Sequence, residues 1–408
     1  MRTAAVAGLA VVAIACGPVF GTPAPVLTSQ EAFVLPGTDI GDVPTDEVYL
    51  GFADSIIDGV NPALNTGPLN LADIVDYPGS FWPVSRGGFA DPTFDNSVGA
   101  GVANLHAAVV GSAAESILIF GYSQGAVVAT GFKSANPDPE KPITYVLDSN
   151  PNRPNGGILE RFAGLTVPIL GITASGATPA VGGITYDVAR QYEGWADFPR
   201  YPLNVVATLN AVLGIAFLHG VNRQIDEVDF AALNDPAKTD IVTDGETTYY
   251  TVPTARLPLL MPLEFIVPSP MLTALDAPLR VIVEWGYDRG VSPGMPTTAA
   301  LIRWGNPVQN LKNLALAIPT GIDDGLAEAA GNPAYRPLGT TSAGMYGIGG
   351  RPQSPTPAPS AGVKSAAAVS ITARSNRAAM VSPAARNNGA RPGKPTQDHP
   401  GRANARAR

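Results

Sequence analysis

The five residues Gly121-Tyr122-Ser123-Gln124-Gly125 have the G-x-S-x-G pattern of a nucleophile elbow, the sharp turn that carries a catalytic serine. The apolar run at 116–120 before the turn has strand character, and the small apolar residues at 126–130 are typical of a helix packed closely on a sheet. In this setting the turn lifts the serine oxygen above the sheet, and the glycines let the backbone pass where a Cβ would clash. The pattern predicts an activated Ser123. The alternative is an ordinary glycine-rich turn from strand to helix.

Apolar runs of strand length alternate with helix-like segments around this turn. The strand candidates are 32–35, 116–120, 143–147, 167–172 and 184–192, and the helix candidates are 91–110 and 202–218. Such alternation favours a mostly parallel central sheet flanked by helices. The sequence therefore predicts the α/β class, with the core of the fold over residues 26–225.

The pattern changes after residue 225. Residues 226–348 contain candidate strands at 247–252 and 281–284 but are punctuated by prolines, which predicts a smaller appended, lid-like region. Residues 349–408 are rich in Pro, Ala and Arg and poor in large apolar residues, which predicts a disordered tail.

Charge divides the chain into two parts. Residues 351–408 hold ten Lys or Arg residues against the single acid Asp398, whereas the first 350 residues hold 16 basic and 33 acidic residues. The resulting net charges are +9 and −17. An acidic body argues against nucleic-acid binding, and the basic tail predicts association with anionic cell-wall polymers or a membrane surface.

The first residues have the features of an export signal. Arg2 is followed by a short apolar run and by Ala13-Ile14-Ala15, an A-x-A cleavage signature. We expect residues 1–21 to be a signal peptide and the mature protein to be secreted or associated with the cell envelope. The only cysteine, Cys16, directly follows the cleavage signature, which leaves a lipid-modified N-terminus as a second option.

Three histidines restrict the choice of a base for Ser123. His399 lies in the predicted tail, and His106 lies inside the helix candidate that precedes the serine's strand. His219 follows a long apolar helix candidate and lies after Ser123, as the hydrolase order serine, acid, histidine requires. We therefore expect His219 to be the base, with a helix-end histidine stabilised by the helix dipole as the alternative.

The acid of a triad should lie on a loop after a strand, between Ser123 and His219. Asp197 is the first choice, while Glu193, Asp187 and Asp148 remain open.

An oxyanion hole needs two backbone N–H groups aimed at the developing charge. Gln124 supplies one because it directly follows the nucleophile. Thr38, in Pro36-Gly37-Thr38 after the first strand, is the candidate for the second, and a simple turn residue is the alternative.

Several segments together resemble one known family. They are Gly121–Ala126, Pro36–Thr38, Arg190–Pro199, Asn210–Gly214, Leu257–Leu263 and Gly286–Arg289. The elbow resembles that of cutinase-like serine esterases, and the wider set resembles the PE-PPE domain of mycobacteria and their relatives over roughly residues 30–300. The resemblance implies an α/β-hydrolase fold and serine esterase or acyltransferase activity in the cell envelope. Where that pattern has Tyr-Asp, this chain has Tyr192-Glu193, and residues 1–21 stand where such proteins carry a PE or PPE module.

The leading expectation is an exported serine esterase or lipase that acts on acyl esters through a Ser-His-Asp triad. One alternative is a cell-envelope acyltransferase that uses the same acyl-enzyme and a glycolipid acceptor. The other is a non-catalytic cell-wall protein on a hydrolase scaffold. No cofactor and no metal are expected, since scattered histidines and one cysteine do not form a usual ligand cluster.

Overall fold

A computed structural model describes residues 29–41, 43–65, 67–303 and 305–350 of the chain. The signal peptide expected at 1–21, Cys16 and the part of the tail at 351–408 lie outside the described residues.

The described chain alternates strands and helices. The strands are β1 (Gln30–Leu35), β2 (Ser116–Tyr122), β3 (Ile143–Asp148), β4 (Thr166–Val167), β5 (Ile172–Thr173), β6 (Ile184–Arg190), β7 (Asp240–Asp244) and β8 (Thr247–Val252). The α-helices are α1 (Asp46–Val60), α2 (Phe94–Gly111), α3 (Gln124–Ala135), α4 (Ile158–Arg161), α5 (Val205–Leu218), α6 (Val221–Glu227), α7 (Ser269–Glu284) and α8 (Pro307–Ala329).

Six strands form one central sheet in the order β1-β2-β3-β6-β8-β7. The first five are parallel, and β7 runs antiparallel to β8 at the edge. Because parallel strands need crossover connections, the helices lie on the faces of the sheet. This arrangement confirms the predicted α/β class with a mostly parallel sheet flanked by helices.

Both faces of the sheet are buried, and alternate strand residues point to opposite cores. On one side Val34, Phe120 and Val146 pack with residues of α1 and α6. On the other side Leu35, Ile119 and Tyr145 pack with residues of α2 and α3. Burial on both faces explains why these strands are almost continuously apolar.

The segment after residue 225 contributes to the central sheet, contrary to the predicted division between a core at 26–225 and an appended part at 226–348. Strand β8 pairs with β6 from Thr185↔Thr247 to Arg190↔Val252, and β7 then pairs with β8. The candidate strand at 281–284 is also wrong, because these residues form the last turn of α7. Leu272, Leu279 and Val283 recur at helical spacing and pack together in one cluster.

The candidate strand at 167–172 is instead two short strands. Thr166–Val167 and Ile172–Thr173 pair antiparallel as a separate two-stranded sheet. Within the described part of the chain, no single helix passes the length and hydropathy test for a membrane span, and α5 with α6 passes it only as a pair bent by 89°.

Candidate active site

Ser123 lies between the end of β2 and the start of α3, in the strand–turn–helix setting that the sequence predicts. Its backbone has φ 55° and ψ −117°, a conformation that costs a non-glycine residue about 1–3 kcal/mol. The Ser123 amide donates to the carbonyl of Asp148 at 3.0 Å, and its own carbonyl accepts from Ala126 N at 3.0 Å. These bonds hold the strained residue at the carboxyl end of the parallel strands.

The two glycines of the elbow are required by close backbone contacts. A Cβ at Gly125 would lie 2.0 Å from the carbonyl oxygen of Leu35, and one at Gly121 would lie 2.7 Å from that of Gly125. Helix α3 therefore packs against β1 and β2 at a distance that only glycine permits at these positions.

His219 is brought to Ser123 by α5, whose C-terminal end it caps. The distance from His219 Nε2 to Ser123 Oγ is 2.8 Å. Both side chains are largely buried, with the imidazole the more exposed of the two. This arrangement places a base within hydrogen-bond reach of the serine hydroxyl.

The carboxylate next to His219 belongs to Glu193, not to Asp197. Glu193 Oε1 lies 3.1 Å from His219 Nδ1, and its side chain is fully buried. The two atoms are close but do not have the geometry of a hydrogen bond in this conformation. Catalytic hydrogen bonds are often poorly aligned before substrate binds. The carboxylate in contact with His219 is therefore that of the alternative, Glu193, and not that of the first choice, Asp197.

Asp197 has a different partner. Its two oxygens accept from Arg289 Nη1 at 2.6 Å and Nη2 at 2.9 Å, and Oδ2 also accepts from the amide of Tyr192 at 2.8 Å. A bidentate pair of this kind fixes both groups, so the carboxylate is not free to orient an imidazole. Asp197 therefore supports the loop that carries Glu193.

That loop folds into a tight turn that aims Glu193 at His219. Tyr192 has a left-handed φ of 67°, and Glu193 O accepts from the amide of Asp197 at 2.7 Å. The Glu193 carboxylate accepts from the amides of Trp195 at 3.0 Å and Ala196 at 3.1 Å. These two bonds fix the position of the carboxylate beside the imidazole.

The loops of the two oxyanion candidates leave the sheet side by side, because β1 pairs with β2 as far as Leu35↔Gly121. A Cβ at Gly37 would lie 3.2 Å from Ser123 Cβ, so the loop that carries Thr38 passes directly over the serine. Among the described residues, neither the Thr38 amide nor the Gln124 amide has an acceptor.

Two aromatic residues that the sequence reasoning missed enclose His219. The Tyr122 ring stacks on the imidazole at 5.2 Å between centroids and 18° between planes, and its hydroxyl donates to the His219 carbonyl. The Trp195 ring lies beside the imidazole, tilted by 55° with 6.2 Å between centroids. Tyr122 is the variable position before the nucleophile, so the G-x-S-x-G pattern gave no signal for its role.

Asp148 and Gln224 form a second buried polar group beside the site. Gln224 Nε2 lies within hydrogen-bond distance of Asp148 Oδ2 at 3.1 Å and of the His219 carbonyl at 3.4 Å. Burial raises the pKa of the Asp148 carboxyl to about 7, although hydrogen bonds from Gln224 and Ser149 and the nearby His219 favour its ionised form. Asp187, the remaining acid candidate, is paired with Arg153 at 2.5 Å.

No group of three or more His, Cys, Asp or Glu side chains suited to a metal ion occurs among the residues that the structure describes. His106 lies in α2 against the ring of Phe132, away from Ser123, while His399 lies outside the described residues.

A family model described as "PE-PPE domain" matches residues 68–288, which include Ser123, Glu193 and His219. The matched range ends just before Arg289, the partner of Asp197. It begins after Thr38, so the loop over the serine lies outside the match.

Three relatives from Mycobacterium tuberculosis show how this similarity is distributed. PPE42, a PPE family protein, is 35% identical over 325 residues, which cover 75% of this chain and 53% of PPE42. Esterase PE16 is 38% identical over 286 residues, 67% of this chain and 53% of PE16. SL1278 acyltransferase Chp1 is 30% identical over 303 residues, 69% of each chain. This chain thus spans about half the length of PPE42 and of PE16.

Proposed function

The chain belongs to the PE-PPE domain family, and we propose that it is a serine esterase acting on acyl esters. Relatives named as an esterase and as an acyltransferase support a hydrolase or an acyl-transfer enzyme. The proposal of a serine mechanism rests on one observation, the successive contacts between three side chains. His219 lies 2.8 Å from the strained Ser123 and 3.1 Å from buried Glu193.

In the proposed mechanism Ser123 Oγ attacks the carbonyl carbon of the ester while His219 Nε2 accepts the hydroxyl proton. Nε2 must be unprotonated to do this, which places the imidazole proton on Nδ1, facing Glu193. The Glu193 carboxylate then stabilises the imidazolium cation that forms. Its burial and its two backbone hydrogen bonds hold it ready for this role before substrate arrives.

The negative charge on the tetrahedral oxygen would be stabilised by the amides of Thr38 and Gln124. Each such donor typically contributes about 3 kcal/mol to the stability of the transition state. His219 Nε2–H next donates its proton to the departing alcohol, leaving Ser123 acylated. Attack by water, with His219 again accepting the proton, releases the carboxylic acid and restores the enzyme.

Acyl transfer is the second candidate, and the similarity to Chp1 over 69% of each chain favours it. The same acyl-enzyme would form, but an alcohol on an acceptor lipid would replace water in the second half-reaction. The two outcomes differ only in the group that attacks the acyl-enzyme.

Hydrolysis of p-nitrophenyl esters of increasing chain length, by wild type and Ser123→Ala, tests the proposal. We expect turnover by wild type and a loss of about 10⁶-fold in kcat in the variant, since the nucleophile is removed. Equal turnover by both proteins would exclude Ser123 as the nucleophile. If wild type releases about one equivalent of p-nitrophenol and turns over repeatedly only when an alcohol acceptor is added, the acyltransferase is the better description.

We also propose that the protein acts outside the cytoplasm, because residues 1–21 have the sequence features of an export signal. Mass spectrometry of the N-terminus of the protein recovered from its native host would test this. A retained Met1 in the cell-associated protein would contradict it.

A further inference from the structure

Helix α5 contains no charged side chain, and its outer face is apolar. Val205, Leu209 and Val212 recur at helical spacing and are exposed by 72%, 46% and 49%. The opposite face, with Ala207 and Gly214, is buried. The helix therefore turns its larger apolar side chains outward, whereas a surface helix usually turns them toward the core.

Close packing prevents α5 from rotating to hide this face. A Cβ at Gly214 would lie 1.9 Å from the carbonyl oxygen of Tyr192, and one at Gly194 would lie 2.3 Å from that of Ala211. The small residues of α5 are thus required for contact with the loop that carries Glu193. The exposure of the outer face follows from this contact.

A second exposed apolar segment lies beside α5. Leu259 N donates to Asn210 Oδ1 of α5 at 3.0 Å, and Leu260 packs in one cluster with Ala207. Just beyond, Phe265 and Ile266 are exposed by 88% and 78%. We call Leu203, Val205, Leu209, Val212, Phe265 and Ile266 the apolar rim.

Helix α5 links the apolar rim to the candidate active site, because it carries Val205, Leu209 and Val212 and is capped by His219. Monomeric proteins seldom expose several large apolar side chains together unless the surface binds something.

We propose that the apolar rim docks on a lipid surface and that the ester substrate is drawn from that surface. This inference deepens the proposed esterase function and rests on it. A face without charge suits hydrocarbon, and the ten basic residues of 351–408 suit an anionic headgroup layer. A second copy of the chain is the alternative occupant, and the experiment below separates it from a lipid surface.

Vesicle flotation with the full chain tests the docking surface without any need for catalysis. The probes are vesicles of phosphatidylcholine, alone or with a minority of phosphatidylglycerol. We expect wild type and Ser123→Ala to float with both, and more strongly with the anionic ones. The double variant Val205→Glu/Leu209→Glu should lose about tenfold or more in partition, because two exposed apolar side chains that would enter the lipid become charged.

Val110→Glu is the matched control. Val110 is 71% exposed on the last turn of α2. It precedes the start of β2, whereas Ser123 follows the end of β2, so the two residues lie at opposite ends of the parallel strands. This variant should float like wild type. A double variant that floats as well as this control would overturn the proposal, and so would wild type that does not float.

An activity ratio completes the test. Turnover of an ester embedded in vesicles, divided by turnover of a soluble short-chain ester, should fall about tenfold or more in the double variant and not in the control. Wild type that floats but hydrolyses neither ester would sink the esterase function and leave the docking surface standing. A dimer of wild type that is lost in the double variant would show that the apolar rim binds a second copy of the chain. That result would contradict lipid docking.

Discussion

At the scale of single residues, two carboxylates four positions apart serve different purposes. Glu193 faces His219 and accepts two backbone N–H bonds, whereas Asp197 is held by Arg289 in a bidentate pair. The first should therefore affect the chemistry, and the second should affect the stability of the loop.

Glu193→Gln should lower kcat by about 10²- to 10⁴-fold with a small change in KM, because the imidazolium loses its counter-charge. Asp197→Asn should instead lower the free energy of unfolding by about 3 kcal/mol or more, since Arg289 is left buried without its main partner. Ester kinetics and urea denaturation of both variants would check this.

Glu193→Asp, which keeps the charge, should retain more activity than Glu193→Gln. A larger kcat loss in folded Asp197→Asn than in Glu193→Gln would return the role of the acid to Asp197.

Asp148 should make stability depend on pH. Its pKa is raised by burial from 3.8 to about 7, so the folded protein binds the proton more tightly than the unfolded chain. Stability from this group is present below about pH 4 and is lost as pH rises toward 7, at most about 4 kcal/mol in all. Asp148→Asn should remove this slope. Urea denaturation from pH 4 to 8 would test it, and identical profiles for variant and wild type would show that Asp148 ionises normally.

The pairing of Ser123 with His219 could be predicted because the signals are local: an elbow pattern and the position of one histidine among three. The carboxylate beside His219 could not, since four candidates were open and two of them, Asp197 and Glu193, lie in one loop. Glu193 is placed beside His219 by the left-handed turn at Tyr192, while Asp197 is held by Arg289, a residue 92 positions later in the chain.

At the scale of elements, the elbow depends on how closely α3 approaches β1. Gly125→Ala places a Cβ 2.0 Å from a backbone oxygen that has no freedom to move, so we expect a loss of about 1–3 kcal/mol or more in unfolding free energy. Activity should fall further, because Gln124 N shifts with the helix. Gly99→Ala is the control, since this exposed position in α2 has open space around its Cβ and should gain about 0.5–1 kcal/mol. An equally stable and active Gly125→Ala protein would show that the packing is looser than described.

Strands of the parallel sheet could be predicted from their apolar runs, because burial on both faces leaves a clear pattern. The region after 225 was harder to interpret. Val281-Ile282-Val283 has the composition of a strand, because all three residues are β-branched, but it continues the helix that begins at Ser269. In this helix the helical spacing of the apolar residues outweighs the strand preference of β-branched side chains.

At the scale of the whole molecule, the segment at 226–348 completes the sheet and braces the acid loop. Arg280 of α7 donates to Asp276, to the Thr254 carbonyl at 3.1 Å and, more weakly, to Gln191 Oε1 at 3.4 Å. Gln191 directly precedes the turn that carries Glu193. The region therefore shares the fold of the site rather than lying over it as a separate part.

Arg280→Gln should destabilise the whole described body by about 3–5 kcal/mol, because Asp276 and several carbonyls lose a buried charged partner. Unfolding should remain a single transition followed by both circular dichroism and tryptophan fluorescence. Two separated transitions would indicate that 226–348 unfolds independently of the sheet.

The most direct test of the central claim is the rate of covalent labelling by a fluorophosphonate, followed by intact mass. An activated serine predicts one adduct on Ser123 of wild type, no adduct on Ser123→Ala, and labelling slowed by about 10²-fold or more in folded His219→Ala. Folded wild type that acquires no adduct, or Ser123→Ala that is labelled at the wild-type rate, would contradict the account.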